Sequence, residues 1–170
     1  SKGSLPIENF LTTGVQFIGA QSGSNGIFNG LIDEVKIYNY ARTPEQIRQD
    51  MAGTANPGVS SGSILPQPIA HWPFDEQTGQ TAYDKYGSNN GTLGANYSLG
   101  SDDPTWKTKS NCKVNGCLSF DGGDYVFSTD STALSITDDL TISLWIKPNI
   151  NLTSGIANNH RFVNKVDDYG

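Results

Sequence analysis

Carboxylates in two distant stretches of the chain have the chemistry to bind a divalent cation. Asp33 lies near the start of an alternating run in which Leu31, Val35 and Ile37 share its face, the face expected to meet a core. An acid on that face needs either hydrogen-bond donors or a cation. Three more candidates lie in the second stretch, Asp75, Glu76 and Asp84. Calcium prefers carboxylate and carbonyl oxygens, so we predict a structural calcium as one use of these four acids and hydrogen bonds to loops as the other.

Aromatic side chains offer a second kind of site, a platform for a sugar ring. The candidates are Tyr97, Trp106, Tyr125 and Trp145. Trp145 alternates against an apolar series, Leu140, Ile142, Leu144 and Ile146, so it points away from the core that this series predicts. The alternative for each aromatic residue is packing within the core or between the sheets.

Cys112 and Cys117 flank a loop of Lys113, Val114 and the turn dipeptide Asn115-Gly116. A short hairpin loop of this kind places the two cysteines opposite each other, within reach of a disulfide. We predict that disulfide, which implies an oxidising compartment, against the alternative of two reduced thiols.

Motifs for catalysis are missing from the sequence. Asp33 and Glu34 are adjacent in a strand and point to opposite faces, whereas retaining glycosidases need two carboxyl groups about 5 Å apart. There is no G-x-S-x-G, H-E-x-x-H or P-loop pattern. We therefore predict that the chain is not an enzyme.

Composition points to an all-β domain with many turns. Only 16% of the 170 residues are charged, and 19 are glycine. The net charge of −6 argues against nucleic acid and anionic membrane surfaces as partners. No apolar run has the length of a membrane-spanning helix.

A short helix follows the alternating run near residues 44–51. Thr43 is the predicted N-cap, Pro44 takes the first helical position, and Gln46 completes a capping box. Ile47 and Met51 are the predicted apolar contacts of this helix.

Several motifs resemble those of the laminin-G-like, concanavalin-A-like jelly-roll family. Residues 30–47, with Gly-Leu-Ile-Asp-Glu-Val-Lys-Ile-Tyr-Asn followed by the short helix, resemble its C-terminal signature. The stretches 72–93, 118–126 and 140–148 resemble its N-terminal signatures. The resemblance implies an all-β fold, an antiparallel β-sandwich of jelly-roll topology with one short helix. It also implies that the first and last strands are neighbours, which would let Asp33 and Asp75 converge.

The order of these motifs is reversed relative to the family. Residues 1–51 resemble the C-terminal part of a sandwich, 52–68 have the Pro, Gly and Ser content of a linker, and 69–170 resemble the N-terminal part. The family's middle segment has no counterpart. A fragment of a tandem array, a circular permutant and completion by a neighbouring chain all explain this order. We predict that the two segments pair with each other or with copies in another chain, because a half-sandwich with unpaired strand edges should not stay ordered by itself.

The function predicted from these features is a non-catalytic extracellular binding or adhesion module of a larger, repeat-containing surface protein. Its expected partners are glycans or neighbouring surface proteins. The rival hypothesis is a structural subunit of an extracellular filament or sheath, assembled by strand exchange and hence by self-association. A third is the accessory domain of a carbohydrate-active enzyme whose catalytic part lies elsewhere.

Overall fold

The computed structural model describes residues 14–22, 28–52, 66–149 and 161–167. These residues form two antiparallel sheets and one helix. Most of the predicted linker, from residue 53 to 65, lies outside them.

Ten strands, one α-helix and a 3₁₀ turn at Thr132–Leu134 make up the described fold. The elements in chain order are β1 (Gly14–Ile18), β2 (Asn29–Tyr38), α1 (Pro44–Ala52), β3 (Ala70–Trp72), β4 (Thr81–Ala82), β5 (Gly91–Leu93), β6 (Thr105–Lys107), β7 (Cys117–Asp121), β8 (Val126–Ser128), β9 (Thr141–Pro148) and β10 (Val163–Asp167).

The first sheet has the strand order β10-β1-β8-β5-β4. The second is organised around β2, which pairs β7 through its first half, β3 through its second half, and β9 along its other edge. Ile32, for example, lies between Leu118 of β7 and Ile146 of β9. Within the described ranges β1 and β2 pair with strands from the later part of the chain, so the two segments pair with each other, as predicted.

One hydrophobic core lies between the sheets. Trp72, Phe74 and Phe120 are fully buried in it, together with Ile18 of β1 and Val126 of β8. Both sheets therefore contribute to the same apolar layer, which is the arrangement of an antiparallel β-sandwich. The predicted all-β fold with one short helix is confirmed.

A β-bulge in β2 corrects the predicted alternation. Ile32, Val35 and Ile37 are all in the core, whereas Leu31 is half-buried. The β2–β9 register shifts between Asp33 and Lys36, and Glu34, one of the two residues between them, has φ +54°. An extra residue at a bulge reverses which side chains face the core. The prediction that Leu31 and Asp33 share the face of Val35 and Ile37 was therefore wrong.

The start of α1 follows the prediction, but its packing does not. Thr43 and Gln46 form the capping box, with the Thr43 N–H donating to Gln46 Oε1 at 2.8 Å. Ile47 and Met51 are exposed, so the predicted apolar contacts were wrong. Polar contacts attach the helix to the rest of the fold instead: Asp50 of α1 pairs with the guanidinium of Arg42 at 3.1 Å. Asp50 also accepts a hydrogen bond from the hydroxyl of Tyr38.

β9 is only partly buried. Leu140, which precedes it, and Leu144 pack against the core, as predicted, but Ile146 is 38% exposed, against the prediction. Among the described residues β9 pairs only with β2, and β10 pairs only with β1, so each has one unpaired edge.

Candidate functional site

A surface pocket lies between β2, β9 and the loop closed by the two cysteines. Its volume is about 240 Å³. We call this the β2–β9 pocket, and its lining residues are Leu31, Asp33, Asn111, Cys112, Lys113, Cys117, Trp145, Ile146 and Lys147.

One wall of the pocket is the cystine hairpin, residues 112–117. Cys112 and Cys117 form the predicted disulfide, with their Cα atoms 5.5 Å apart. Both cysteines line the pocket. The disulfide therefore fixes the hairpin where it closes one side of the site.

Asp33 also lines the pocket and is only 3% exposed. Its Oδ2 accepts hydrogen bonds from the backbone N–H groups of Lys113, at 3.0 Å, and Val114, at 2.8 Å. Its Oδ1 has no hydrogen-bond partner within the described part of the chain. A buried acceptor without a donor costs about 1–3 kcal/mol.

The environment of Asp33 also makes it a weaker acid. Burial raises its pKa to about 6, and the charges of Glu34 and Asp75 add to that effect. The two backbone hydrogen bonds oppose the increase because they favour the ionised form.

Asp75 binds the other end of the cystine hairpin. Its Oδ1 accepts from the N–H of Gly116 at 2.8 Å, and its Oδ2 accepts from Nδ2 of Asn115 at 3.2 Å. Asp33 and Asp75 do approach each other, but they meet on the two ends of one hairpin.

The other two acids proposed as metal ligands are occupied in the same way. The buried Asp84 accepts from the backbone N–H groups of His71, at 2.9 Å, and Asn89, at 3.1 Å. Glu76 accepts from the N–H of Tyr83 at 2.7 Å. Across the described ranges no group of three or more His, Cys, Asp or Glu side chains could hold a metal ion. The four carboxylates accept hydrogen bonds from loops in this structure, and calcium binding stays a prediction.

Of the four aromatic candidates, the structure brings Trp145 alone to the pocket. Trp145 lies directly opposite Asp33 in the β2–β9 pairing, which puts the two side chains on one face of the sheet. Tyr97 is 75% exposed, away from the pocket lining. Trp106 packs against the core and its Nε1 donates to the carbonyl of Gly79, and Tyr125 is buried.

Two lysines complete the site and were not among the predicted site residues. The Nζ of Lys113 lies 4.5 Å from the ring centroid of Trp145. Lys147, two residues after Trp145, also lines the pocket. Sequence signals for both lysines existed. Lys147 shares the face of Trp145 by the alternation of β9, and Lys113 lies in the loop between the two cysteines.

A second polar cluster ties β2 to β3 at the bulge. The carboxylate of Glu34 contacts Nε2 of His71 at 3.0 Å and Nζ of Lys36 at 2.9 Å. Burial opposes ionisation of Glu34, but the hydrogen bonds from His71 and Lys36 outweigh it and lower its pKa to about 2. The His71 ring also stacks on Tyr86, with centroids 5.7 Å apart.

Comparison with known families covers the first strands of this fold. Residues 2–48 match the family model described as the concanavalin A-like lectin/glucanases superfamily, of the laminin G type. This segment is laminin-G-like. The match confirms the resemblance for the part of the chain that contains β1, β2 and Asp33. The comparisons with curated proteins and with solved structures returned no match.

Proposed function

We propose that the chain is a non-catalytic extracellular binding module that takes a glycan in the β2–β9 pocket. The observation that carries this proposal is the unpaired Oδ1 of Asp33 in a pocket that Trp145 also lines. A sugar ring has hydroxyl donors around an apolar face, and such a ligand matches a buried acceptor beside an aromatic ring.

A binding role agrees with the laminin-G-like segment, because domains of this type are generally carbohydrate- or protein-binding modules. The pocket also lacks a pair of acids for hydrolysis: among the described residues that line it, Asp33 is the only carboxylate. We therefore propose recognition without turnover, and neighbouring surface proteins are the alternative partners.

Two observations support an extracellular setting. The cystine hairpin is oxidised, as in proteins of oxidising compartments. Laminin-G-like domains are also typically extracellular. No helix in the described ranges is long and apolar enough to span a membrane. We propose that the chain is part of a repeat-containing surface protein, because motifs of one family occur in it in reversed order.

The proposal is tested by screening the chain on a glycan array together with two variants. Trp145→Ala should abolish the signal because it removes the ring that contacts the ligand. Tyr97→Ala is the matched control, since Tyr97 is an exposed aromatic residue outside the pocket. Equal signals from both variants would place the ligand elsewhere, and no signal from the wild type would contradict a glycan ligand.

The unpaired edges of β9 and β10 favour a second candidate, assembly by strand exchange. Among the described residues both strands pair on one side only, and the exposed Ile146 adds apolar surface beside the β9 edge. Light scattering at micromolar concentration distinguishes the two proposals. A multimer that Ile146→Lys dissociates supports assembly, whereas a monomer contradicts it.

Calcium remains a separate proposal, with Asp33, Asp75, Glu76 and Asp84 as its candidate ligands. If calcium stabilises the fold, a chelator should lower the melting temperature and added calcium should restore it. An unchanged melting temperature would mean that these acids act only through the N–H groups that they accept in the structure.

A further inference from the structure

The charges around the β2–β9 pocket indicate which sugar it takes. Asp33 contributes one carboxylate, and Lys113 and Lys147 contribute two ammonium groups. Neither lysine forms a salt bridge within the described part of the chain. Building on the glycan proposal, we propose that the ligand is an acidic sugar, whose carboxylate pairs with the two lysines while a ring hydroxyl donates to Asp33.

The position of Lys113 argues against a cationic ligand. Its Nζ already lies 4.5 Å from the centre of the Trp145 ring, in a cation–π contact. A ligand ammonium at the same place would be repelled by the positive charges of both Lys113 and Lys147. A carboxylate, in contrast, finds two donors of opposite charge at the same place.

Asp33 argues against a simple anion. Its unpaired Oδ1 needs an O–H or N–H donor, which a fully ionised small anion does not supply. Since the pKa of Asp33 is about 6, this group is mostly ionised at pH 7.5 and would repel an anion that brought no donor. The ligand must therefore carry both a donor and an anionic group, several ångströms apart.

The size of the pocket fits one ring. Pockets for drug-sized ligands usually span about 300–1,000 Å³, and this one has about 240 Å³. A pyranose ring with a carboxylate at C6 combines hydroxyl donors, an apolar face for Trp145 and a negative charge in one unit of that scale. A uronate thus satisfies Asp33, Trp145 and the two lysines together.

The test compares two sugars that differ only at C6, methyl β-D-glucuronide and methyl β-D-glucoside, and repeats the comparison with the galacto pair. Binding is followed by NMR titration of the ¹⁵N-labelled chain, read at the indole N–H of Trp145 and the amide of Lys113. We expect a uronide to bind at least tenfold more tightly than its neutral partner at low salt, and we expect that preference to shrink as salt is added.

Variants separate the parts of the proposal. Lys113→Gln and Lys147→Gln should each reduce the preference for the uronide over its neutral partner. Lys85→Gln, at an exposed lysine outside the pocket lining, should leave that preference unchanged. The amide spectrum of each variant reports whether it is folded.

Three outcomes would overturn the inference. Equal binding of acidic and neutral sugars would leave the glycan proposal standing and remove the role of the lysines. Binding of N-acetylglutamate methylamide as tight as that of the uronide would mean that the pocket recognises a peptide-like carboxylate. Absence of any shift at Trp145 with all four sugars would contradict both the inference and the glycan proposal.

Discussion

Asp33 and Asp75 hold opposite ends of the same cystine hairpin. Asp33 accepts from the N–H of Val114 at 2.8 Å, and Asp75 accepts from the N–H of Gly116 at 2.8 Å. Asp33 belongs to β2 and Asp75 follows β3, so the hairpin is attached to two parts of the fold that are distant in sequence. The hairpin in turn forms a wall of the β2–β9 pocket.

Removing the Asp33 carboxylate should destabilise the fold. Asp33→Ala leaves the N–H groups of Lys113 and Val114 without their acceptor, and we expect a loss of about 1–3 kcal/mol in the free energy of unfolding. Urea denaturation at pH 7 measures the change. Asp138→Ala is the control, because Asp138 is exposed. Equal stability of the two variants would mean that water replaces the carboxylate without cost.

The raised pKa of Asp33 predicts a pH dependence that its asparagine variant lacks. Burial raises the pKa from 3.8 to about 6, so between these values the folded chain binds more protons than the unfolded chain. The stability of the wild type relative to Asp33→Asn should therefore fall as pH rises from 4 to 6 and become constant above about pH 7. Asp124, whose pKa burial also raises to about 6, contributes to both proteins and cancels in this difference. Urea denaturation across pH 4–8 measures it, and a flat difference would contradict the prediction.

The ion pair of Glu34 predicts the opposite trend at lower pH. With the pKa of Glu34 lowered from 4.5 to about 2, its contribution is complete above pH 4.5 and is lost as pH falls toward 2. Glu34→Gln should cost about 1.5–3 kcal/mol at pH 7, because the hydrogen bonds with His71 and Lys36 lose their charge. That cost should shrink below pH 4. Thermal unfolding as a function of pH measures the cost of Glu34→Gln. Glu45→Gln is the control, because Glu45 belongs to an exposed surface pair. A cost that does not change with pH would exclude the charge as its source.

The disulfide should stabilise the chain by about 2 kcal/mol, the value expected when such a short loop is closed. A double variant, Cys112→Ser with Cys117→Ser, should lower the free energy of unfolding by that amount and also weaken binding at Trp145, because the hairpin carries Lys113. Urea denaturation and the NMR titration report the two effects. Reductant should lower the free energy of unfolding of the wild type and leave that of the double variant unchanged.

Gly30 should be intolerant of any side chain. Its φ is +148°, and a Cβ there would lie 2.5 Å from the carbonyl oxygen of Lys147 and 2.8 Å from Cα of Pro148. Gly30→Ala should cost about 3 kcal/mol or more, because backbone strain of about 1–2 kcal/mol adds to a clash that pushes β9 away. Gly79→Ala is the matched control, since Gly79 also has positive φ but open space around it. Thermal unfolding measures both, and equal losses would mean that β9 moves aside freely.

Local patterns in the sequence identified much of this fold. The capping box of Thr43 and Gln46, the disulfide and the strand after residue 140 depend on residues close together in the chain, and all three are present. The laminin-G-like resemblance added the pairing of β1 and β2 with later strands.

Other features depend on contacts between distant residues. The bulge at Glu34 reverses the alternation of β2, and Glu34 there makes a hydrogen bond with His71, which is 37 residues away in the chain. The outward position of Ile47 has the same kind of cause, since polar bonds from Arg42 and Tyr38 to Asp50 orient the helix.

The sequence by itself determined the types of strand, the helix start, the cystine hairpin and the chemistry of the candidate residues. Only the tertiary structure decided that Asp33 faces Trp145, that Lys113 lies over the Trp145 ring, and which loop N–H groups Asp33 and Asp75 accept. The reason is physical: periodicity depends on neighbours within a few residues, whereas a buried carboxylate takes whichever donors the folded chain brings to it.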